Sequence, residues 1–241
     1  MKAWFISDIH IKSLNERNSN ILLRFLHSLQ HKECTHLFLV GDIFDFWVGD
    51  DIFFYKKFQP IVEALIRLKE KKIEIIYFEG NHDVHITDFW QKKLGMKVFH
   101  EDQYFQIGNK KVRVSHGDLI NSGDIAYQRY RKVYRHKATE IITRSIPGLV
   151  FDRIGEMMSQ YSRKKSSVRR RQGGEDLRKM IRQYAEQSYK ENEFDYIITG
   201  HMHVKDEYSF NKACSINLGS WFEQPQAFWI TNEESGWEDL V

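Results

Sequence analysis

Leu37-Phe38-Leu39-Val40-Gly41-Asp42-Ile43-Phe44-Asp45 is the stretch from which the fold can be read. Its first four residues are apolar without alternation, which predicts a strand buried on both faces. Gly41 closes the run. Asp42 then falls on the loop at the strand's C-terminal end, where open α/β sheets bind ligands. The pattern recurs along the chain. Residues 3–7 lead into Asp8-Ile9-His10, and 73–78 into Gly80-Asn81-His82-Asp83. Residues 112–115 lead into His116-Gly117-Asp118, and 196–199 into Gly200-His201-Met202-His203. Five apolar runs each end in oxygen or imidazole groups. With Asp42 as pivot, the other four tips converge on it.

Outward from this stretch, helices are expected at 15–32, from Leu22, Phe25, Leu26 and Leu29 at helical spacing, and at 56–71, from Ile61, Val62, Leu65 and Leu68. With strands at 2–7, 37–40 and 73–78, the opening order is βαβαβ. That order implies a parallel sheet with right-handed crossovers. A short helix follows near 87–94. Residues 104–107 and 111–115 flank Gly108-Asn109, a hairpin signal. Strands are expected at 195–199, 206–210, 213–217 and 226–231, with Asn211-Lys212 as a turn, and 232–241 reads as an acidic surface tail. Helices early and strands late predict an α/β (α+β) fold of two packed sheets with helices outside.

The 241 residues are 41% hydrophobic and 29% charged, which suits one globular domain with a sizeable core. A net charge of +3 selects no partner class. Cys34 and Cys214 are too few for a disulfide framework and read as reduced thiols of a cytoplasmic protein. The chain runs almost at once into a strand, without the pattern of a secretory leader. No apolar run approaches the ~18 residues of a spanning helix. Residues 120–192 stand apart from the segments 1–119 and 193–241. They are helical in pattern and basic, with Arg129, Arg131, Lys132, Arg135 and Lys137, then Arg163, Lys164, Lys165, Arg169, Arg170 and Arg171. Pro147-Gly148 should break the helix between the two groups. This stretch reads as an insertion over the strand tips.

Asp8, His10, Asp42, Asn81, His116, His201 and His203 are hard or borderline metal ligands. Asp8 and His10 stand two apart, as do His201 and His203. On an extended segment each pair would point one way. Carboxylate, amide oxygen and imidazole together suit Mn²⁺, Fe²⁺ or Zn²⁺, and the lack of thiolate argues against structural zinc. One carboxylate shared by two ions would set them ~3.5–4 Å apart, as in two-metal hydrolysis. A lone Asp-x-His or Gly-Asp is a weak signal; five such tips in order are not.

The chain resembles the calcineurin-like metallophosphoesterases through Asp8-Ile9-His10, Gly41-Asp42-Ile43-Phe44-Asp45, Gly80-Asn81-His82-Asp83, His116 and Gly200-His201-Met202-His203. The resemblance implies a four-layer αββα sandwich of two mixed sheets. It implies one metal on Asp8, His10, Asp42 and His203, and a second on Asp42, Asn81, His116 and His201. His82, beside Asn81, is the candidate acid for a leaving oxygen, with Asp83 orienting it as a triad acid would.

A narrower resemblance, to the UDP-2,3-diacylglucosamine pyrophosphatases of lipid A synthesis, rests on residues 41–51, His116-Gly117-Asp118 and Gly123-Asp124-Ile125-Ala126-Tyr127-Gln128. It implies a basic helical lid for acyl chains. It also implies substrate contacts from Asp124, Tyr127 and Ser162, with Arg163, Asn81, His82 and His201 beside them. The best-known branch carries Arg at the position of His82; His there restores the general family form.

The expected cofactors are two divalent ions, manganese first. The expected partners are a lipid nucleotide-sugar and the anionic cytoplasmic face of the inner membrane, with peripheral attachment. No obligate protein partner is inferred. A rival reading is a phosphodiesterase on nucleic acid or a cyclic nucleotide. The Arg cluster has few interleaved aromatics and no nucleic-acid motif, so nucleic acid is not expected. A second rival is a metal-containing scaffold without turnover; His82 beside a complete ligand set argues against it.

Overall fold

The computed structural model describes residues 1–240, apart from the side chains of Arg144, Asp152 and residues 154–173. In chain order the elements are β1 (Lys2–Ile6), α1 (Arg17–Leu29), β2 (His36–Leu39), the two-residue β3 (Trp47–Val48), α2 (Ile52–Lys57), α3 (Gln59–Glu70) and β4 (Glu74–Phe78). Then come β5 (Asp83–Val84), a π-helical turn at Asp88–Lys93, β6 (Lys97–Phe99), β7 (Gln103–Ile107) and β8 (Lys110–Val114). Three helices follow: α4 (Ile125–Tyr134), α5 (Lys137–Arg144) and α6 (Gly148–Glu191). The chain closes with β9 (Tyr196–Thr199), β10 (Lys205–Phe210), β11 (Ala213–Leu218), β12 (Gln226–Thr231) and β13 (Ser235–Asp239).

Two mixed sheets result. The first has the order β13-β12-β1-β2-β4-β6, the second β10-β11-β9-β8-β7. β1, β2, β4 and β6 are parallel, as the βαβαβ pattern requires. Strand alternation sorts their residues into two cores. Phe5, Phe38 and Ile76 stand in register and, with Val40 and Phe78, face Val112, Val114, Ile198 and Ile216 of the second sheet. Leu37, Leu39, Ile75 and Tyr77 point the other way, onto Leu22, Phe25, Leu26 and Leu29 of α1 and Ile61, Val62, Leu65 and Leu68 of α3. Each of these buried aliphatic or aromatic side chains is worth about 1.5–3 kcal/mol. On the far side of the second sheet, Tyr184, Ala185 and Tyr189 of α6 pack on Phe194, Ile197, Phe210 and Ala213. The layers are therefore α, β, β, α, as expected.

Four expectations change. The helix expected over 56–71 is two helices, because Pro60 lacks an N–H and is tolerated only in a first turn, here that of α3. The short β3 and β5 pair in parallel, Trp47 with Asp83 and Val48 with Val84, and lay the loop after β4 beside the loop after β2. The last residues are no tail: β13 is an edge strand on β12. Trp237 supplies the reason, since its ring packs on Phe228 at 5.0 Å and its indole N–H donates to Glu207 at 2.9 Å. Finally, the stretch 120–192 divides. Pro147 caps α6, so the break falls where expected. Ile181, Ala185 and Ser188 of α6, however, are buried against the second sheet, and Arg182 forks onto Asp206 at 2.8 and 3.0 Å. The outer layer of the core thus begins inside the expected insertion. Among the described residues, no helix is long and apolar enough to cross a membrane.

Replacing Trp237 with Ala should lower stability by about 1–2 kcal/mol, less than a fully buried aromatic would cost. A lower denaturant midpoint at unchanged turnover is the expected result.

Candidate metal centre

The loops after β1, β2, β4, β8 and β9 meet at one end of the sandwich. Their backbones are unusual. Asp8, His10, Asp42, His201 and His203 all have φ between 52° and 63°, five of the eight non-glycine residues with positive φ among those described. The extended segments expected for the two spaced pairs are therefore tight left-handed turns. L-residues adopt that region at a cost, and only when their surroundings over-determine it. Here the surroundings are hydrogen bonds between tips. The N–H groups of Ile9 and His10 both donate to the Asp42 carbonyl at 3.0 Å, and Gly200 N–H donates to the His116 carbonyl at 2.9 Å. The glycines before the candidate ligands make room for ligands from other tips. A Cβ on Gly80 would lie 2.0 Å from Asp42 Oδ1, and one on Gly200 would lie 2.4 Å from Asp8 Oδ2.

The side chains form two groups that share Asp42: Asp8, His10, Asp42 and His203, and Asp42, His116 and His201. Asp42 Oδ1 accepts from the His82 N–H at 2.9 Å. Its Oδ2 lies 3.8 Å from His10 Nε2 and 3.6 Å from His116 Nε2, facing both groups at once. Asp8 Oδ1 lies 3.0 Å from His203 Nε2, while Asp8 Oδ2 accepts from the His201 N–H at 2.9 Å. His10 Nε2 and His203 Nε2 are 3.0 Å apart. Asn81 Oδ1 is buried with no hydrogen-bond partner among the described residues.

The residues around these groups aim them. His116 Nδ1 lies 2.9 Å from the Val40 carbonyl, which can only accept, so Nδ1 carries the hydrogen and Nε2 offers its lone pair inward. Asp45 does two tasks that spacing did not reveal, although it is the second acid of the Gly-Asp-x-x-Asp run. Its carboxylate faces His10 Nδ1 at 3.8 Å, and its carbonyl accepts from His82 Nδ1 at 2.8 Å. The His82 ring stands edge-on to His10, 4.8 Å between centroids. Phe222, also unforeseen, stacks on His10 at 5.4 Å.

Asp83 does not orient His82. Its Oδ1 accepts from the N–H groups of Asp42 at 3.0 Å and Gly80 at 2.7 Å. Its Oδ2 accepts from the Ile43 N–H at 2.9 Å and the Tyr77 hydroxyl at 2.7 Å. Four donors saturate the carboxylate. It shapes the loop that carries Asp42 instead of serving as a triad acid.

The electrostatics call for a cation. Asp8 and Asp42 are 0% and 1% exposed. Burial opposes ionisation of Asp8, yet His203, His116 and Ser7 outweigh it and hold the carboxyl below its ordinary value. Burial opposes a charged His116 as well, but Asp42, Asp8 and Asp118 raise its pKa. His201 is pushed down to about 4 by burial and by His116. Burial and the Asp42 charge push Asp83 up to about 7. Buried carboxylates, imidazoles and an orphaned amide oxygen form a donor set that fits divalent ions.

The remaining expected contacts lie to one side. Asp124 Oδ1 accepts from the Tyr127 N–H at 2.9 Å and so caps α4. The Tyr127 ring sits 5.5 Å from the His201 ring. The side chains of Ser162 and Arg163 fall outside the described residues. Of the basic residues in the stretch 120–192, Arg131 and Arg135 are already engaged. Arg131 Nε donates to Asp118 at 2.7 Å, and Arg135 donates to the His100 carbonyl at 2.7 Å.

This centre sits within a recognised family. The calcineurin-like phosphoesterase pattern matches residues 1–205. The chain belongs to the calcineurin-like phosphoesterases. It is accordingly a metal-dependent hydrolase, and the two-sheet fold is the family's. The chain is 28% identical over 240 residues to a UDP-2,3-diacylglucosamine hydrolase of Proteus mirabilis, covering 97% of each chain. It is 26% identical over 219 residues to a UDP-2,3-diacylglucosamine hydrolase of Neisseria meningitidis serogroup A, covering 91% of this chain and 89% of that one. Among solved structures, an archaeal phosphodiesterase shares the fold at a TM-score of 0.53 and 14% identity, with full coverage of both chains.

Asp83→Ala in this phosphoesterase would leave three backbone N–H groups and the Tyr77 hydroxyl buried without their acceptor. A loss of about 3–5 kcal/mol is expected, read from chemical denaturation. A shift under 1 kcal/mol would show that Asp83 does not hold the loop.

Proposed function

We propose that this phosphoesterase hydrolyses the pyrophosphate of UDP-2,3-diacylglucosamine, releasing UMP and 2,3-diacylglucosamine 1-phosphate for lipid A synthesis. The observation that carries the reading is the pairing of a two-group carboxylate–imidazole centre with an apolar, basic helical segment at its rim. Ile125, Val133, Ile141, Ile142 and Leu149 of α4 to α6 are between 51% and 65% exposed, and Ile52 of α2 is 59% exposed. Arg129, Lys132 and Lys137 are exposed on the same helices. Apolar side chains in such number are seldom left to water without a partner. Acyl chains and the interface of an anionic membrane would cover them, and the cations would meet lipid phosphates. The names of the relatives point to the same substrate.

Asp8, His10, Asp42 and His203 would hold one ion, and Asp42, Asn81, His116 and His201 the other, with manganese our first choice. Bound there, divalent ions neutralise phosphoryl oxygens and lower the pKa of an attacking water. The chain's own residues do the rest. Asp42 fixes the spacing of the two groups because its Oδ1 is held by the His82 N–H while Oδ2 faces both. The Asp45 carbonyl accepts the His82 Nδ1 hydrogen and so aims the ring; an imidazolium held this way would give its Nε2 proton to the departing phosphate oxygen and be left neutral with the hydrogen on Nδ1. Water adds to phosphorus, the bridging P–O bond breaks, and that oxygen leaves as phosphate. Tyr127 and Asp124, at the start of α4, would meet the sugar, and Ser162 and Arg163, whose side chains lie outside the described residues, are the further contacts of this reading.

His82→Ala should retain the metal content of wild type yet lose roughly 10²–10⁴ in rate, the usual worth of a positioned acid; parallel elemental analysis and kinetics check it.

The substrate is tested by incubating the pure protein and Mn²⁺ with UDP-2,3-diacylglucosamine and measuring UMP. A series of shortened acyl chains should lose up to about 0.8 kcal/mol per methylene removed from contact, so kcat/KM should fall by orders of magnitude over several carbons. A flat series together with cleavage of oligonucleotides would overturn the lipid reading.

A further inference from the structure

α4 is fastened to the core mainly by charge. Of its ten residues only Tyr134 is buried. Arg131 and Arg135, one turn apart, share a helix face and reach three loops. Arg131 Nε donates to Asp118 Oδ2 at 2.7 Å, and Arg131 Nη2 meets both Glu101 oxygens at 3.1 Å. Arg135 donates to the carbonyls of His100 at 2.7 Å and Glu79 at 3.3 Å, and lies 3.9 Å from the Glu79 carboxylate and 4.0 Å from that of Asp118. Glu79 and Asp118 are 3% and 7% exposed. Buried carboxylates of this kind need paired cations.

The placement of these acids gives the contacts their meaning. Glu79 directly precedes Gly80-Asn81-His82. Asp118 stands two residues after His116, and Glu101 follows β6. The Tyr127 hydroxyl donates to the same Asp118 oxygen as Arg131, at 3.1 Å. One helix is thus tied to two of the loops that bear candidate ligands, and its tyrosine is held over His201.

We propose that Asp118, Arg131 and Arg135 are positioning residues. They form an ionic strap that sets α4 and Tyr127 over the centre, and so govern acceptance of a large two-tailed substrate, not phosphoester cleavage itself. This rests on α4 being part of the substrate lid, as in the function proposed above. A fold-stabilising ion cluster would affect every substrate alike; a strap separates large substrates from small ones.

The test uses the full chain loaded with Mn²⁺. Arg131→Met keeps an unbranched apolar stem and removes the charged fork. Its kcat/KM on UDP-2,3-diacylglucosamine should fall at least roughly tenfold through KM, while kcat/KM on bis(p-nitrophenyl) phosphate stays within about threefold. Arg131→Lys, which keeps the charge and cannot bridge both acids, should fall between. Hydrogen exchange of the α4 amides should speed up roughly tenfold or more in Arg131→Met, with β1 and β2 unchanged. Equal losses on both substrates, or loss of metal, would overturn the strap in favour of a structural cluster. Unchanged exchange and KM would overturn it outright. A wild-type protein that releases no UMP would sink the substrate reading alone, since the exchange experiment still decides whether the arginines hold α4.

Discussion

Two carboxylates, Asp8 and Asp42, lie buried at the tips of adjacent strands, and the rest of the structure is arranged around their charge. Burying one carboxylate without compensation is costly, and burying two side by side costs more. Their partners are imidazoles from three loops, backbone N–H groups and, in a loaded enzyme of this family, divalent cations. Asp42 is central because its two oxygens serve different masters. One is held by the His82 N–H, and the other stands between His10 and His116.

The scaffold tolerates this concentration of strain because it is rigid behind the tips. Phe5, Phe38 and Ile76 lock the parallel strands in register, and both faces of the first sheet are covered. The left-handed turns at the ligand positions are held by hydrogen bonds from one tip to the next, so no loop can relax alone. Asp83 extends the same logic. A carboxylate that resembles a catalytic acid in the sequence is spent on four donors that shape the Asp42 loop.

Outside this rigid end lies a different kind of surface. α4 and α5 expose aliphatic side chains and lysines, and α4 is attached through arginines and buried acids more than through an apolar face. Ionic attachment is directional and reversible in a way that core packing is not. The division fits the proposed reading, in which the centre carries the chemistry of the family and the added helices meet the substrate.

The order of apolar runs and polar tips determined most of the fold and pointed to seven candidate ligands, six of which the structure gathers into two groups sharing Asp42, because a buried parallel strand must be apolar throughout and its polar groups must follow it. The glycines could be read too, since a close approach between loops excludes a Cβ. Local pattern also misled where long-range contact overrode it. Residues 232–241 look acidic and free, yet Trp237 finds Phe228 and Ser235–Asp239 becomes a strand. Asp83 and His82 are neighbours in sequence, and only the fold shows that one faces the Asp42 loop while the other turns to the Asp45 carbonyl. The arginines of this stretch read in sequence as a basic surface, until the tertiary structure brings Glu79, Glu101 and Asp118 beneath Arg131 and Arg135. Sequence spacing determines which residues share a face of one element. Which charges cancel across elements is decided by tertiary packing, because a Coulomb partner is set by distance in space.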